Sequence, residues 1–154
     1  MNALFRLYDL SAPLVRAADL LRPLLLLALR LYLASVFFRS GLTKIADWDT
    51  TLYLFTEEYA VPVLPPALAA LMGTAGELLL PPLLALGLAG RFAALGLTVV
   101  NAMAVLSYPA LLGFECPAAL QSHIAWGAGL LALLSFGPGA LSADHLITAR
   151  RAGR

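Results

Sequence analysis

Polar side chains inside long apolar stretches are the residues of this chain that could do chemistry. The clearest is Glu77, which lies in the middle of residues 66–88, a stretch with no other charged residue. A carboxylate halfway across a bilayer is costly unless it has a partner, a proton or water, so it indicates a functional site. The other residues predicted to form this buried polar site are Arg30, Lys44, Asn101, Tyr108 and His123.

Helical spacing predicts where these polar residues point. Glu77 shares an i, i+4 line with Ala69 and Gly73, and small residues let helix backbones approach closely. We therefore expect the polar faces to point into a helix bundle. Their side chains would form one polar column that runs from the centre of the bundle to its extracytoplasmic side. Arg30 is expected within reach of Glu77, with Asn101 at similar depth. A pair with Arg30 would keep Glu77 charged and structural, whereas an unpaired Glu77 would be protonated and able to transfer protons.

The composition is that of an integral membrane protein. Of the 154 residues 61% are hydrophobic and 12% charged, with a mean hydropathy of +0.86, whereas a soluble domain is roughly 25% charged. Stretches long enough to cross a bilayer predict an all-α fold, a bundle of four transmembrane helices within residues 23–137. The predicted spans are residues 24–41, 66–88, 92–112 and 118–136.

Three further segments flank these spans. Residues 1–22 alternate apolar and charged positions and predict an interfacial amphipathic segment that Pro13 and Pro23 break into pieces. A second interfacial amphipathic helix is predicted between the first two spans, within residues 47–65. Residues 138–154 form a predicted cytoplasmic tail, in which Ser142 caps a short helix.

Charge asymmetry predicts the orientation in the membrane. Four spans place both termini on one side, and that side carries Arg6, Arg16, Arg22, Arg91, Arg150, Arg151 and Arg154. The opposite side carries Arg39, Lys44, Asp47, Asp49, Glu57, Glu58 and Glu115. By the positive-inside rule we expect a bacterial inner-membrane protein with cytoplasmic termini. Charges near the N-terminus argue against a cleavable signal peptide, and the absence of a basic run argues against a nucleic-acid partner.

A single cysteine limits thiol and metal chemistry. Cys116 can form no internal disulfide and no multi-cysteine cage. Together with Glu115 and His123 it is a candidate site for copper(I). Because these ligands form no recognised cage at this spacing, we favour an ordinary loop thiol. His123 could instead protonate a quinone oxygen or serve as an interfacial side chain.

Three motifs resemble the DoxX family of small four-helix membrane proteins. They are LRLYLASVFFRSGLTKI at 29–45, PALAALMGTAGELLLPP at 66–82 and FGPGALSADHLI at 136–147, and the resemblance spans roughly residues 22–147. Family members are named for a subunit of a thiosulfate:quinone oxidoreductase, and others partner redox or thiol-stress systems. The resemblance therefore implies that family function attaches to Arg30, Lys44 and Glu77. Residues 108–127 look most like members found beside copper-responsive genes.

Three functional hypotheses follow. The first is an auxiliary subunit of a membrane redox or stress-response system, with a quinone or a membrane or periplasmic partner protein near the polar column. The second is a metal-binding or partner-binding component of copper homeostasis. The third is a structural scaffold for another membrane protein. Whether the chain is itself an enzyme stays open, and transport would require a homo-oligomer because four spans are too few for an inverted repeat.

Overall fold

The computed structural model describes residues 2–112 and 117–153, with side chains within residues 12–111 and 117–153. These parts of the chain are helical and contain no strand, as the sequence predicts. The helices are α1 (Asn2–Ala46), α2 (Trp48–Glu57), α3 (Pro66–Leu86), α4 (Gly90–Ser107), α5 (Pro109–Leu112), α6 (Pro117–Phe136) and α7 (Ala143–Ala152).

Four of the described helices are long and apolar enough to cross a membrane, which confirms the predicted four-span architecture. They are α1 from Ala12, α3, α4 and α6. The chain runs up and down through them, so that α2 lies at one end of the bundle and α7 at the other. We call these ends the α2 side and the α7 side.

Two helices differ in extent from the sequence prediction. Helix α1 passes through Pro13 and Pro23 without ending, because each proline removes only one backbone N–H and the turns on both sides continue. The predicted break at these prolines is therefore wrong, and an interfacial position for residues 1–22 stays a prediction. Helix α4 ends at Ser107 instead of continuing to residue 112, because Pro109 forces Tyr108 out of the helical conformation (φ −116°, ψ 91°).

The bundle packs as a ring in which α1 contacts α3, α3 contacts α4, α4 contacts α6, and α6 returns to α1. All four helices contribute to one buried core, whose largest apolar members are Leu33, Phe37, Leu84, Leu97, Leu130 and Leu133. Leucines such as Leu79 on the outer faces are exposed. Since lipid tails are as apolar as leucine, close packing and polar contacts hold such a bundle together.

The first turn of helix α7 is hydrogen-bonded to the end of the bundle. Both carboxylate oxygens of Asp144 accept hydrogen bonds at 2.8 Å, one from the backbone N–H of Ala89 and one from that of Gly90. The Asp144 N–H in turn donates to the Gly87 carbonyl at 3.0 Å. The Ser142 side chain caps α7 as predicted. One acidic residue thereby satisfies the free amides at the start of α4 and ties α7 to the α3–α4 turn.

Arg30 completes this attachment from inside the bundle. Its side chain is 1% exposed, and its Nη2 donates to the Leu141 carbonyl at 2.5 Å. The guanidinium lies where a Cβ on Gly87 would be, and Gly87 has a φ of +64°. Only glycine meets both conditions, because it has no Cβ and adopts positive φ at no steric cost.

We therefore expect Gly87→Ala to destabilise the fold by about 2 kcal/mol, since the new methyl group collides with Arg30 and the backbone is strained. Thermal unfolding in detergent measures this loss. Gly73→Ala inside α3 is the control, because its Cβ would make an ordinary contact with Phe55 at 3.7 Å. Equal melting temperatures for the two variants would contradict the assignment.

Candidate functional site

Glu77 forms an ion pair with Lys44 near the α2 side. Lys44 Nζ lies 2.5 Å from Glu77 Oε2, and it also donates to Ser40 Oγ at 2.9 Å. Ser40 Oγ donates to Glu77 Oε1 at 3.2 Å. The side chains of Glu77 and Lys44 are 9% and 21% exposed, so this is a largely buried charge pair in which every carboxylate oxygen has a partner.

The position of this pair depends on a close approach of α1 and α3. A Cβ on Gly41 would lie 3.1 Å from the Glu77 Cβ and 2.8 Å from Leu78 Cδ2. Gly41 thus lets the backbone of α1 lie against Glu77. Lys44 follows three positions later and Ser40 one position earlier, so both side chains reach the carboxylate from the same helix.

The predicted pair between Arg30 and Glu77 is not formed. Gly41, which lies against Glu77, is eleven positions after Arg30, or about 16 Å along the helix axis at ~1.5 Å per residue. That separation exceeds the reach of an arginine side chain, and Arg30 bonds to the Leu141 carbonyl on the α7 side instead. Among the described side chains, Lys44 is the cation that pairs with Glu77.

A cavity of about 400 Å³ lies beside the ion pair, between the end of α1 and α2. Hydroxyl groups and charged groups line one part of its wall, and apolar and aromatic side chains line the rest. The lining residues are Ser40, Thr43, Lys44, Asp47, Thr50, Thr51, Leu54, Phe55 and Tyr59.

The aromatic part of this wall is continuous with Tyr108. The rings of Phe55 and Tyr59 pack edge to face with centroids 5.0 Å apart, and those of Tyr59 and Tyr108 do so at 5.4 Å. Tyr108 therefore reaches the cavity wall through Tyr59, and it makes no hydrogen bond to Asn101 among the described contacts.

Two titratable groups of the cavity lie outside the membrane-spanning helices. Hydrogen bonds from the Thr50 side chain and backbone N–H hold the pKa of Asp47 below its usual value, so this helix-capping carboxylate stays charged. Burial raises the pKa of Tyr59, helped by the nearby Tyr108 and the charges of Glu58 and Glu77. Tyr59 therefore keeps its proton and offers an O–H donor.

Asn101 and His123 form a second polar group, which joins α4 to α6. Asn101 Nδ2 donates to the His123 carbonyl at 3.0 Å, and Asn101 Oδ1 lies 2.9 Å from His123 Nδ1. A carbonyl can only accept, so the amide must face it with its nitrogen and present Oδ1 to the ring. His123 Nδ1 consequently carries the hydrogen of the neutral ring, and Nε2 has a free lone pair. Asn101 thus acts as an interhelical clamp between α4 and α6.

The indole of Trp126 continues this second group towards α1. Its ring packs against that of His123 at 4.9 Å, and Trp126 Nε1 donates to the Tyr32 hydroxyl at 3.1 Å. No hydrogen bond among the described side chains joins this group to Lys44 and Glu77. The predicted single polar column is therefore divided into separate groups, with Arg30 in a third one at the α7 side. Helical spacing places a residue on a face, but it does not say which neighbour that face meets.

Ser40 and the hydroxyl residues at the start of α2 are not among the site residues that the sequence predicts. Ser40 could have been found, because it precedes Lys44 by four positions and so shares its face. The cavity could not have been found from the sequence, since its two walls come from helices whose relative angle the sequence does not give.

The candidate copper ligands are only partly described. Glu115 and Cys116 lie outside the described residues, and His123 is bound to Asn101 through Nδ1. Within residues 2–112 and 117–153 no group of three or more His, Cys, Asp or Glu side chains is placed to hold a metal ion. A copper site thus stays a prediction.

Comparison with known proteins gives a match to a family model and an uncharacterised relative. The family model of DoxX matches residues 25–110. An uncharacterised protein of Haemophilus influenzae is 33% identical over 127 residues, which cover 79% of this chain and 82% of that protein. No solved structure gives a significant match.

The ion pair predicts a specific pattern of stabilities. Lys44→Met leaves the buried Glu77 carboxylate uncompensated and should cost about 3 kcal/mol. The double variant with Glu77→Gln should cost less than the sum of the single variants, by about 1–3 kcal/mol. Thermal unfolding of the four proteins in one detergent gives the coupling energy. Additive effects would show that the two side chains do not interact.

The Asn101 clamp predicts the tautomer of His123. Nitrogen-15 NMR of labelled protein at neutral pH should show hydrogen on Nδ1 and a free Nε2. In Asn101→Ala the loss of both interhelical bonds should destabilise the bundle by about 1 kcal/mol and release the ring to a mixture of tautomers. A wild-type spectrum with hydrogen on Nε2 would refute the arrangement.

Proposed function

The chain belongs to the DoxX family, and from this premise we propose that it is an auxiliary subunit of a membrane redox or stress-response system that binds a quinone headgroup. The observation that carries the proposal is the cavity of about 400 Å³ next to the Lys44–Glu77 pair. We place the protein in a bacterial inner membrane with cytoplasmic termini, so that this cavity lies on the periplasmic side.

The residues around the cavity fit the chemistry of a quinone ring. Such a ring presents two carbonyl acceptors on a flat apolar body, so it needs hydrogen-bond donors and an aromatic wall. The cavity offers the ammonium group of Lys44 and the hydroxyl group of Tyr59 as donors, and the rings of Phe55 and Tyr59 as the flat wall. The hydroxyl groups of Thr43 and Thr50 already donate to the Arg39 carbonyl and to Asp47. Its volume falls in the range of about 300–1,000 Å³ that is typical of small-molecule sites.

Lys44 is the donor best placed to hold a carbonyl oxygen. A lysine ammonium has three N–H groups, of which one donates to Glu77 and one to Ser40. The third remains for a ligand in the cavity that Lys44 lines. Glu77 holds the direction of the Lys44 side chain, because the carboxylate is fixed by Ser40 and by the packing of α3 on Gly41.

A bound quinone supplies an acceptor for two electrons and two protons. This chain would bind and orient the ring, and the Lys44–Glu77 pair would hold exchangeable protons beside it. The electrons come from a partner redox protein of the membrane or periplasm, which is why we propose an auxiliary subunit. Because the cavity lies near the α2 side, a ring bound there would be within reach of a partner at the membrane surface.

Binding of a short-tailed ubiquinone analogue such as decylubiquinone tests this proposal. The purified protein in detergent should bind it saturably, and Lys44→Gln should weaken the affinity by about tenfold, the value of one hydrogen bond from a charged group. Arg39→Gln is the matched control, because it removes an exposed cation from the same helix outside the cavity.

The proposal fails if the wild type does not bind the analogue or if both variants bind it equally well. Quinone extracted from protein purified in native lipid provides a second measurement. We expect it with the wild type and with Arg39→Gln, and a reduced amount with Lys44→Gln.

A further inference from the structure

Helix α7 carries a surface that neither the bundle core nor the cavity uses. Its last turn contains Arg150 and Arg151, and its middle contains Leu146 and Ile147, all of them exposed. Leu146 is 60% exposed and Ile147 41% exposed. Each arginine follows one of these apolar residues by four positions, so apolar and basic side chains share one side of the helix.

The acidic residue of α7 does not neutralise these arginines. Both carboxylate oxygens of Asp144 are bound to backbone N–H groups of Ala89 and Gly90. Asp144 therefore points towards the bundle, and it is the only acidic residue between 137 and 154. The charges left on the outer side of α7 are positive.

The attachment of α7 sets its depth in the membrane. Asp144 binds the first residues of α4, and Arg30 binds the carbonyl of Leu141 just before α7. The helix thus starts level with the ends of the membrane-spanning helices α3 and α4. At that depth lipid headgroups surround a bundle of this kind.

Further basic residues lie at the same end. Arg91 is exposed at the start of α4, where it donates to the Ser135 carbonyl at 3.3 Å. Arg22 of α1 lies over the Phe136 ring, 5.8 Å from its centroid. Arg16 lies nearer the N-terminus of α1. In that part of α1, Asp19 is the one acidic residue whose side chain is described. The excess of arginine makes this end of the bundle positive.

We propose that α7 and these neighbouring arginines bind the headgroups of anionic phospholipids on the α7 side. Leu146 and Ile147 enter the boundary between headgroups and acyl chains, while Arg150 and Arg151 extend to the phosphates. The occupant is a lipid and not a protein, because two exposed apolar side chains are followed one turn later by two exposed arginines on a helix held at headgroup depth. This surface is independent of the quinone site and lies at the other end of the bundle.

Titration of the full chain with phosphatidylglycerol tests this proposal. In a neutral detergent, phosphatidylglycerol should raise the melting temperature saturably, whereas phosphatidylcholine and inorganic phosphate should not. Arg150→Gln and Arg151→Gln should each weaken the apparent affinity by about fivefold, the contribution expected for one basic residue near an anionic surface. The double variant should lose about 25-fold, since the two contributions add.

Two controls separate lipid binding from a general effect of charge or folding. Arg39→Gln removes a cation from the α2 side and should keep the wild-type affinity. Arg150→Lys combined with Arg151→Lys keeps the charge and should retain most of the binding. Equal stabilisation of the wild type by both lipids would overturn the proposal, as would an unchanged affinity in the double Gln variant. A loss of affinity in Arg39→Gln as large as that in the double Gln variant would overturn it too.

Discussion

The cost of burying charge between apolar helices governs this structure. Glu77 is tolerated inside the bundle because Lys44 and Ser40 together satisfy both of its carboxylate oxygens. Those contacts exist only because Gly41 lets α1 lie against Glu77. Removing either charge would leave the other without compensation in a medium that cannot hydrate it. The charge pairing at the site therefore depends on the packing of α1 on α3.

The same constraint applies at the other end of the bundle with a different solution. Arg30 is as buried as Glu77, but its partner is the Leu141 carbonyl, brought into place by the docking of α7. The C-terminal helix is therefore part of the folded unit and not a loose tail. The α2 side builds a cavity from side chains that remain available, while the α7 side uses its polar groups to close the bundle and presents the rest to the lipid headgroups.

Much of the fold follows from local rules that act along the chain. Pro66 begins α3, Gly87 ends it, and Ser142 begins α7, each through backbone preferences that need no distant contact. The extent of α1 does not follow from such local rules, because Pro13 and Pro23 are strong helix breakers in isolation and the helix still continues through them.

The sequence by itself determined the membrane class, the four spans and the identity of the polar residues inside them, because these depend on composition and on a periodicity fixed by backbone geometry. Only the tertiary structure decided that Lys44 and not Arg30 pairs with Glu77, and that Asn101 meets His123 in a separate group. Pairing depends on the axial shift between neighbouring helices. That shift is set by interlocking side chains such as Leu78 against Gly41, and no rule of spacing within a single helix contains it.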